Sequence, residues 1–235
     1  MTAIKKVVTL VYNRSGQLDK EQLLNACNLL EKVRSVVALP TDTLYGIAAR
    51  VEDSEALERI YKIKGRDSHK PLAVCVPNVA SIDKVAQTDK LYNRRVLDIL
   101  FPGPITIVLK RSPSLNPKLN PGIETIGVRI PDHNFTIALA VSVGPLALTS
   151  ANRSGAGNPI EISDFHDLWD ELDCVYDCGR LRNTEEKDLD YKLASTVVDL
   201  SLGNKYEIIR EGIGLNRVVN VLNRLGYKRK KSESK

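Results

Sequence analysis

Three basic residues fall within seven positions in the stretch KGRDSHK, and this spacing suits a polyphosphate ligand. Lys64 and Arg66 flank Gly65, and Lys70 follows four residues after Arg66. A triphosphate concentrates negative charge over a short chain of atoms, and arginine can neutralise phosphoryl oxygens through two parallel hydrogen bonds. Gly65 gives the backbone the freedom to wrap around such a ligand. A solvated basic loop would have the same composition, so the segment alone leaves both alternatives open.

Two loops rich in hydroxyl and amide groups follow predicted strands. The stretch VVALPTDTLYG places Thr41, Asp42, Thr43 and Tyr45 after an apolar run, and the triplet SAN at 150–152 follows the run LALT. In α/β proteins, ligands bind just beyond the carboxyl ends of strands. Ordinary turns favour the same residue types, so a purely structural alternative stays open for both loops.

Arg129 lies inside the apolar stretch IGVRIP, which is predicted to be a strand. A buried arginine needs an anionic partner, because an unpaired charge in the interior is strongly unfavourable. That partner is either an internal Asp or Glu or the carboxylate of a substrate.

The cysteines and histidines do not form a metal-binding pattern. No C-x-x-C or H-E-x-x-H motif occurs, and the phosphate-loop, dinucleotide-binding and G-x-S-x-G motifs are also missing. We therefore predict no metal site, and structural thiols in a reducing compartment. The residues concerned are Cys27, Cys75, Cys174, Cys178, His69, His133 and His166.

Apolar runs that suit strands alternate with segments of helical periodicity, without a break in composition. We predict one α/β domain whose twisted, open and mixed sheet has about seven strands. Residues 1–20 are expected to form an N-terminal strand and lead-in, and residues 21–226 the domain itself. Residues 227–235 are expected to be a disordered basic tail, since they contribute most of the net charge of +5.

The N-terminal segment resembles neither a signal peptide nor a transit peptide. Its apolar run is short and β-branched, and it lacks an arginine-rich amphipathic pattern. No apolar run approaches the length of a membrane span. We therefore expect an intracellular protein without a membrane span.

Seven motifs, taken in order, resemble those of the YrdC/TsaC family of threonylcarbamoyl-AMP synthases. They are PTDTLYG, KGR with KPLAV, FPGPITIVL, GVRIP, LTSAN, STVVDLS and IIREG, between about Gln22 and Gly214. The resemblance implies a YrdC-like sheet with helices around a concave basic cavity. It also implies a nucleotidyltransferase that converts L-threonine, bicarbonate and ATP, with Mg²⁺, into threonylcarbamoyl-AMP and pyrophosphate.

The resemblance further implies a place in tRNA modification. The product would pass to a KEOPS-type transferase complex, which modifies adenosine-37 of tRNA. We expect a cytoplasmic protein with a tRNA contact, and a mitochondrial pool stays open.

The family's roles fall on matching positions of this chain. Lys64 and Arg66 form the family's K-x-R pair and are the predicted catalytic cations. The predicted ATP-binding residues are Arg66, Lys70, Thr125, Ser150, Asn152 and Arg210. The predicted L-threonine-binding residues are Thr43, Arg129, Leu148 and Ser195.

Three positions depart from the family's pattern. Cys75 stands where many prokaryotic members have histidine. Ala194 replaces the glutamate of an E-S-T segment, and Glu211 replaces the proline of an R-P-G segment. The changes concern a substrate contact and the immediate neighbours of Ser195 and Arg210.

Two other functions are compatible with the sequence. A non-catalytic module that binds double-stranded RNA or tRNA would use the basic cavity and the tail at 228–231, although three Phe and one Trp offer little for base stacking. Carbamoyl-adenylate chemistry is the second, as in the YrdC-like domains of hydrogenase-maturation proteins. Those proteins have additional domains.

Overall fold

The structure is a computed structural model that describes residues 6–13, 18–65, 71–153, 157–181 and 194–230. Within these ranges, eleven strands form one sheet, with five α-helices and three short 3₁₀ segments around it. The strands are β1 (Lys6–Thr9), β2 (Val37–Leu39), β3 (Gly46–Arg50), β4 (Ala73–Cys75), β5 (Ile105–Lys110), β6 (Thr125–Arg129), β7 (Leu146–Ser150), β8 (Cys174–Asp177), β9 (Thr196–Asp199), β10 (Lys205–Arg210) and β11 (Lys228–Arg229). The helices are α1 (Lys20–Leu30), α2 (Ser54–Ile63), α3 (Arg95–Leu100), α4 (Asn134–Val143) and α5 (Leu215–Arg224), and the 3₁₀ segments are Val79–Lys84, Thr88–Lys90 and Ile162–Glu171.

The strand order is β1-β8-β2-β3-β7-β4-β6-β5-β9-β10-β11, with parallel and antiparallel neighbours. The prediction of an α/β fold with a mixed sheet is confirmed. The sheet has more strands than expected, and β3 was not predicted, because its residues GIAAR read as part of a loop. Glycine and alanine are poor strand formers, yet this strand is buried between β2 and β7 and pairs with both.

Helices α1 and α2 both begin at an aspartate cap, and a glycine follows the end of α2. Asp19 accepts a hydrogen bond from the backbone N–H of Gln22, and Asp53 accepts one from Ala56, so each carboxylate caps a helix start. Helix α2 ends at Gly65, whose φ of +54° favours glycine.

Two hydrophobic cores lie on opposite faces of the sheet. Helices α2, α3 and α5 pack against one face, together with the inward side chains of the central strands. Helices α1 and α4 pack against the other face, over β2, β7 and β8. The second face is thus covered by helices at one end of the sheet, and a cavity occupies the part beside it.

The beginning of the expected C-terminal tail is part of the fold. Tyr227 is buried and packs edge-on against Tyr92, with ring centroids 5.2 Å apart. Strand β11 pairs with β10, and the backbone N–H of Lys230 donates to Tyr206. The prediction of disorder is therefore wrong for residues 227–230, because an aromatic anchor precedes the charges; residues 231–235 lie outside the described residues.

In the described part of the chain, no helix combines the length and the apolar character needed to cross a bilayer.

Candidate active site

A cavity of about 250 Å³ lies on the sheet face beside α4, and its floor is made of small residues. Ala73 and Gly127 lie side by side on β4 and β6, Gly46 lies on β3 beyond β7, and all three line the cavity. A Cβ atom on Gly127 would lie 3.1 Å from the Cγ2 atom of Thr106, and one on Gly46 would lie 2.7 Å from the Cδ1 atom of Leu148. Larger side chains at these two glycines would therefore fill the floor of the cavity.

Most of the positions singled out by the resemblance come together at this cavity, although their roles stay predictions. Asn152 and Lys64 lie next to it through contacts with Ser150, whereas Arg66 and Lys70 fall outside the described residues. The lining positions are Thr43, Thr125, Arg129, Leu148, Ser150, Ser195 and Arg210.

The strand register gives the cavity two ends. Arg129 lies level with Cys75 and Leu146 on the neighbouring strands. Thr125 and Ser150 both lie two residues beyond the level shared by Ala73, Gly127 and Leu148, toward the segment 64–70. Four residues along β6 separate the two ends by about 13 Å.

At the first end, Arg129 is buried and held by the loop after β2. Its Nη2 atom donates to Asp42 Oδ1 at 2.5 Å, to Thr43 Oγ1 at 2.7 Å and to Thr41 Oγ1 at 3.3 Å. Of the two partners that the sequence allowed, the internal carboxylate is therefore present in this structure. The side chains of Arg129 and Asp42 are only 9% and 11% exposed, so the pair is largely shielded from water.

Two neighbours of this pair have structural rather than chemical roles. Burial raises the pKa of the Cys75 thiol to about 12, and Cys75 does not line the cavity. The Tyr45 hydroxyl donates to the backbone oxygen of Gly179 at 2.6 Å, and burial raises its pKa. Neither group is suited to act as a nucleophile at neutral pH.

At the second end, Lys64 ties the end of α2 to the loop after β7. Its Nζ atom donates to the backbone oxygen of Ser150 at 2.6 Å and to Asn152 Oδ1 at 2.8 Å, and it also contacts the backbone oxygen of Asn152. The Ser150 hydroxyl donates to Asn152 Oδ1 at 2.6 Å. Lys64 of the predicted K-x-R pair is thus hydrogen-bonded to both residues of the predicted S-x-N pair.

Strands β5, β9 and β10 form a further wall of the cavity. Arg210 donates to the backbone oxygen and hydroxyl of Ser195, and the Ser195 hydroxyl lies 3.0 Å from that of Thr106. A Cβ atom on Gly212 would overlap the backbone of Ala194 to Thr196, so the chain after Arg210 packs directly on this wall. Arg210, predicted for the nucleotide, therefore lies with Ser195, predicted for the amino acid.

Sequence reasoning gave no role to three features of the site. Thr106 is the polar residue in the apolar strand ITIVLK, a signal that could have been noticed. Asp42 was noted in the loop after β2, but its ion pair with Arg129 was not predicted. The small floor residues were not recognised, since only the sheet order brings Gly46, Ala73 and Gly127 to one cavity.

The donor set suits an anionic, hydroxyl-bearing ligand. Hydroxyl groups and two guanidinium groups line the cavity, and within the described ranges no carboxylate does. Nor do the described residues contain a cluster of three or more His, Cys, Asp and Glu side chains that could hold a metal ion. Hydrogen-bond donors in a partly enclosed site favour carboxylate and phosphate groups.

Comparison with known proteins identifies one family. A model of the Sua5/YciO/YrdC family, described as telomere recombination, matches residues 32–212. Threonylcarbamoyl-AMP synthase of Mus musculus is 45% identical over 189 residues, which are 80% of this chain and 66% of that protein. The putative threonylcarbamoyl-AMP synthase of Methanocaldococcus jannaschii is 33% identical over 204 residues, 84% of this chain and 90% of that protein. The match therefore spans just under two thirds of the mouse protein.

A solved structure shares the fold. P. abyssi Sua5 complexed with L-threonine superposes with a TM-score of 0.78, at 23% identity, over 96% of this chain and 63% of that chain. At this level of identity, the similarity establishes the fold and not the ligand.

Proposed function

The chain belongs to the Sua5/YciO/YrdC family, and we propose that it joins L-threonine, bicarbonate and ATP into threonylcarbamoyl-AMP with release of pyrophosphate. The names of the relatives and the threonine complex of the structural neighbour support this proposal. It would make the protein an ATP-binding nucleotidyltransferase.

The two-ended cavity is the observation on which the proposal rests. Arg129 with the hydroxyls of Thr41 and Thr43 at one end suits the head group of an amino acid. Thr125 and Ser150 at the other end lie near Pro71 and Lys64, and the sequence between these two residues has Arg66 and Lys70. The separation of about 13 Å is long enough for an amino acid and an α-phosphate to meet between the ends.

The reaction requires that the substrates are positioned and that the charge of the phosphates is neutralised. It needs no covalent protein intermediate. The neutral threonine amine attacks the bicarbonate carbon and a C–O bond breaks with loss of water, which gives a carbamate; a carbamate oxygen then attacks the α-phosphorus while pyrophosphate leaves. In this scheme Arg129 and Thr43 hold the amino acid beside Leu148 and Ser195. Arg66 and Lys70 neutralise the phosphates, and donors fixed in advance at the places where charge develops lower the barrier.

Magnesium would enter as part of the nucleotide. Because the described residues lack a carboxylate on the cavity wall, the donors fit phosphate better than Mg²⁺. We propose that phosphate and water oxygens hold the ion, which supplies further charge neutralisation.

The later steps follow from the same proposal. The product would be passed to a KEOPS-type transferase complex for tRNA modification, and the protein would act in the cytoplasm. The basic residues of β11 and the following segment offer a place for a tRNA contact.

Pyrophosphate release from ATP, measured with each substrate omitted in turn, tests the proposal. We expect release only when threonine and bicarbonate are both present. Release that occurs with carbamoyl phosphate in place of threonine and bicarbonate would indicate carbamoyl-adenylate chemistry instead. Tight tRNA binding without any turnover would favour the non-catalytic RNA-binding alternative.

A further inference from the structure

The buried ion pair at the first end of the cavity leaves hydrogen-bonding groups without partners on both of its members. Every hydrogen bond that Arg129 makes to the described residues comes from one atom, Nη2. Its Nε atom is buried and has no partner, and the same is true of Asp42 Oδ2. A donor and an acceptor are therefore left unmatched on one ion pair.

Such atoms are rare in folded proteins, because a buried polar group without a partner loses its hydrogen bonds to water and gains none in return, and the loss is larger for a charged group. Arg129 lines the cavity, and Asp42 lies between two residues that line it, Thr41 and Thr43. Asp42 Oδ2 lies behind the lining, so a ligand at this end can satisfy both side chains once the Asp42 carboxylate turns toward the cavity, provided that the ligand brings a negative and a positive group close together.

We propose that Asp42 binds the ammonium group of the incoming amino acid while Arg129 binds its carboxylate. The inference rests on the proposed function, and it extends it by giving the substrate amine a partner. An α-amino acid has its ammonium and carboxylate groups on the same carbon atom, so its head group matches an arginine and an aspartate held side by side. Asp42 would thus distinguish an amino acid from a hydroxy acid of the same shape.

Binding of two ligands to two forms of the chain separates this role from a structural one. The ligands are L-threonine and (R)-3-hydroxybutyrate, which keeps the carboxylate and hydroxyl but lacks the amine. The forms are the wild type and Asp42→Asn, compared by calorimetry without ATP. We expect the variant to bind threonine at least tenfold more weakly, in line with about 1.5–3 kcal/mol for a hydrogen bond to a charged group. Its affinity for hydroxybutyrate should stay the same or rise, because a negative charge beside the ligand carboxylate is gone.

If Asp42→Asn weakened the binding of both ligands equally, the proposal would be overturned, because Asp42 would then only orient Arg129. The matched control is Asp132→Asn, an exposed carboxylate three positions beyond the end of β6, which should change neither affinity beyond about twofold. Should Asp42→Asn fail to fold, a crystal structure of the wild type with L-threonine decides. The proposal requires the Asp42 carboxylate within hydrogen-bonding distance of the ligand nitrogen, and a nitrogen bound elsewhere refutes it. A wild type that binds no threonine at all would count against the proposed function itself.

Discussion

Arg210 holds Ser195 through three hydrogen bonds from one guanidinium group. Its Nε and Nη2 atoms donate to the backbone oxygen of Ser195 at 3.1 and 2.9 Å, and Nη2 also donates to the hydroxyl at 3.1 Å. The backbone position and the hydroxyl direction of Ser195 are thus both fixed from β10. A residue expected at the nucleotide and a residue expected at the amino acid form one unit.

Replacing Arg210 by methionine should therefore weaken threonine binding even when no ATP is present. We expect a loss of about tenfold or more, because Ser195 loses the donors that orient it and hydrogen bonds to charged groups are worth about 1.5–3 kcal/mol. Calorimetry with threonine alone measures the effect. Arg224→Met, on the exposed side of α5, is the control, and an unchanged threonine affinity in Arg210→Met would limit Arg210 to the nucleotide.

Gly127→Val should close the cavity without unfolding the sheet. The first added carbon already lies 3.1 Å from Thr106 and 3.7 Å from Ala73, and valine adds two more in the direction of the ligand. We expect threonine binding to be lost while the far-ultraviolet circular dichroism spectrum is kept. Ser142→Val adds bulk on the exposed surface of α4 and should leave binding unchanged.

The sequence predicted the local features of this site better than its pairings. Arg129 was identifiable as a buried charge because an ionised residue inside an apolar strand is exceptional. Its partner Asp42 lies 87 positions away, and only the placement of β2, β4 and β6 in the sheet brings the two together. Capping at Asp53 follows from neighbouring residues, whereas the small floor of the cavity follows from strand order, which single-sequence patterns do not contain.

Arg66→Glu should nearly abolish pyrophosphate formation. The proposal assigns Arg66 to the triphosphate, so the variant replaces an attraction with a repulsion next to the highest charge in the substrate. Lys62→Glu makes the same change of charge at an exposed position in the last turn of α2 and should retain most of the activity. Similar activity in the two variants would contradict the assignment of Arg66.

Cys75 should remain a thiol in the folded protein at every pH at which the protein is active. Burial raises its pKa from the ordinary value of 9.0 to about 12, so iodoacetamide at pH 8 should label it only after unfolding. The folded state keeps a proton that the unfolded state releases above pH 9, so the contribution of Cys75 to the free energy of unfolding falls as the pH rises above that value.

Denaturant unfolding of the wild type and of Cys75→Ala between pH 8 and about pH 10.5 tests this sign. The variant loses packing, which lowers its stability by a constant amount, but its stability should decline less steeply with pH. Parallel curves for the two proteins would show that Cys75 titrates alike in both states.

Lys64 and Arg66, predicted together as catalytic cations, should respond differently to substitution. Lys64 is 3% exposed and donates to backbone oxygens of the 150–152 loop, so Lys64→Met removes the charged donor that ties this loop to α2. We expect a loss of about 1–3 kcal/mol in the free energy of unfolding, seen as a fall in Tm of about 2–4 °C per kcal/mol. Activity should fall as well, because Ser150 and Asn152 lose their position. Arg66→Glu should leave Tm nearly unchanged. A Lys64→Met protein with wild-type Tm and no activity would instead mean that the ammonium group acts on the substrate directly.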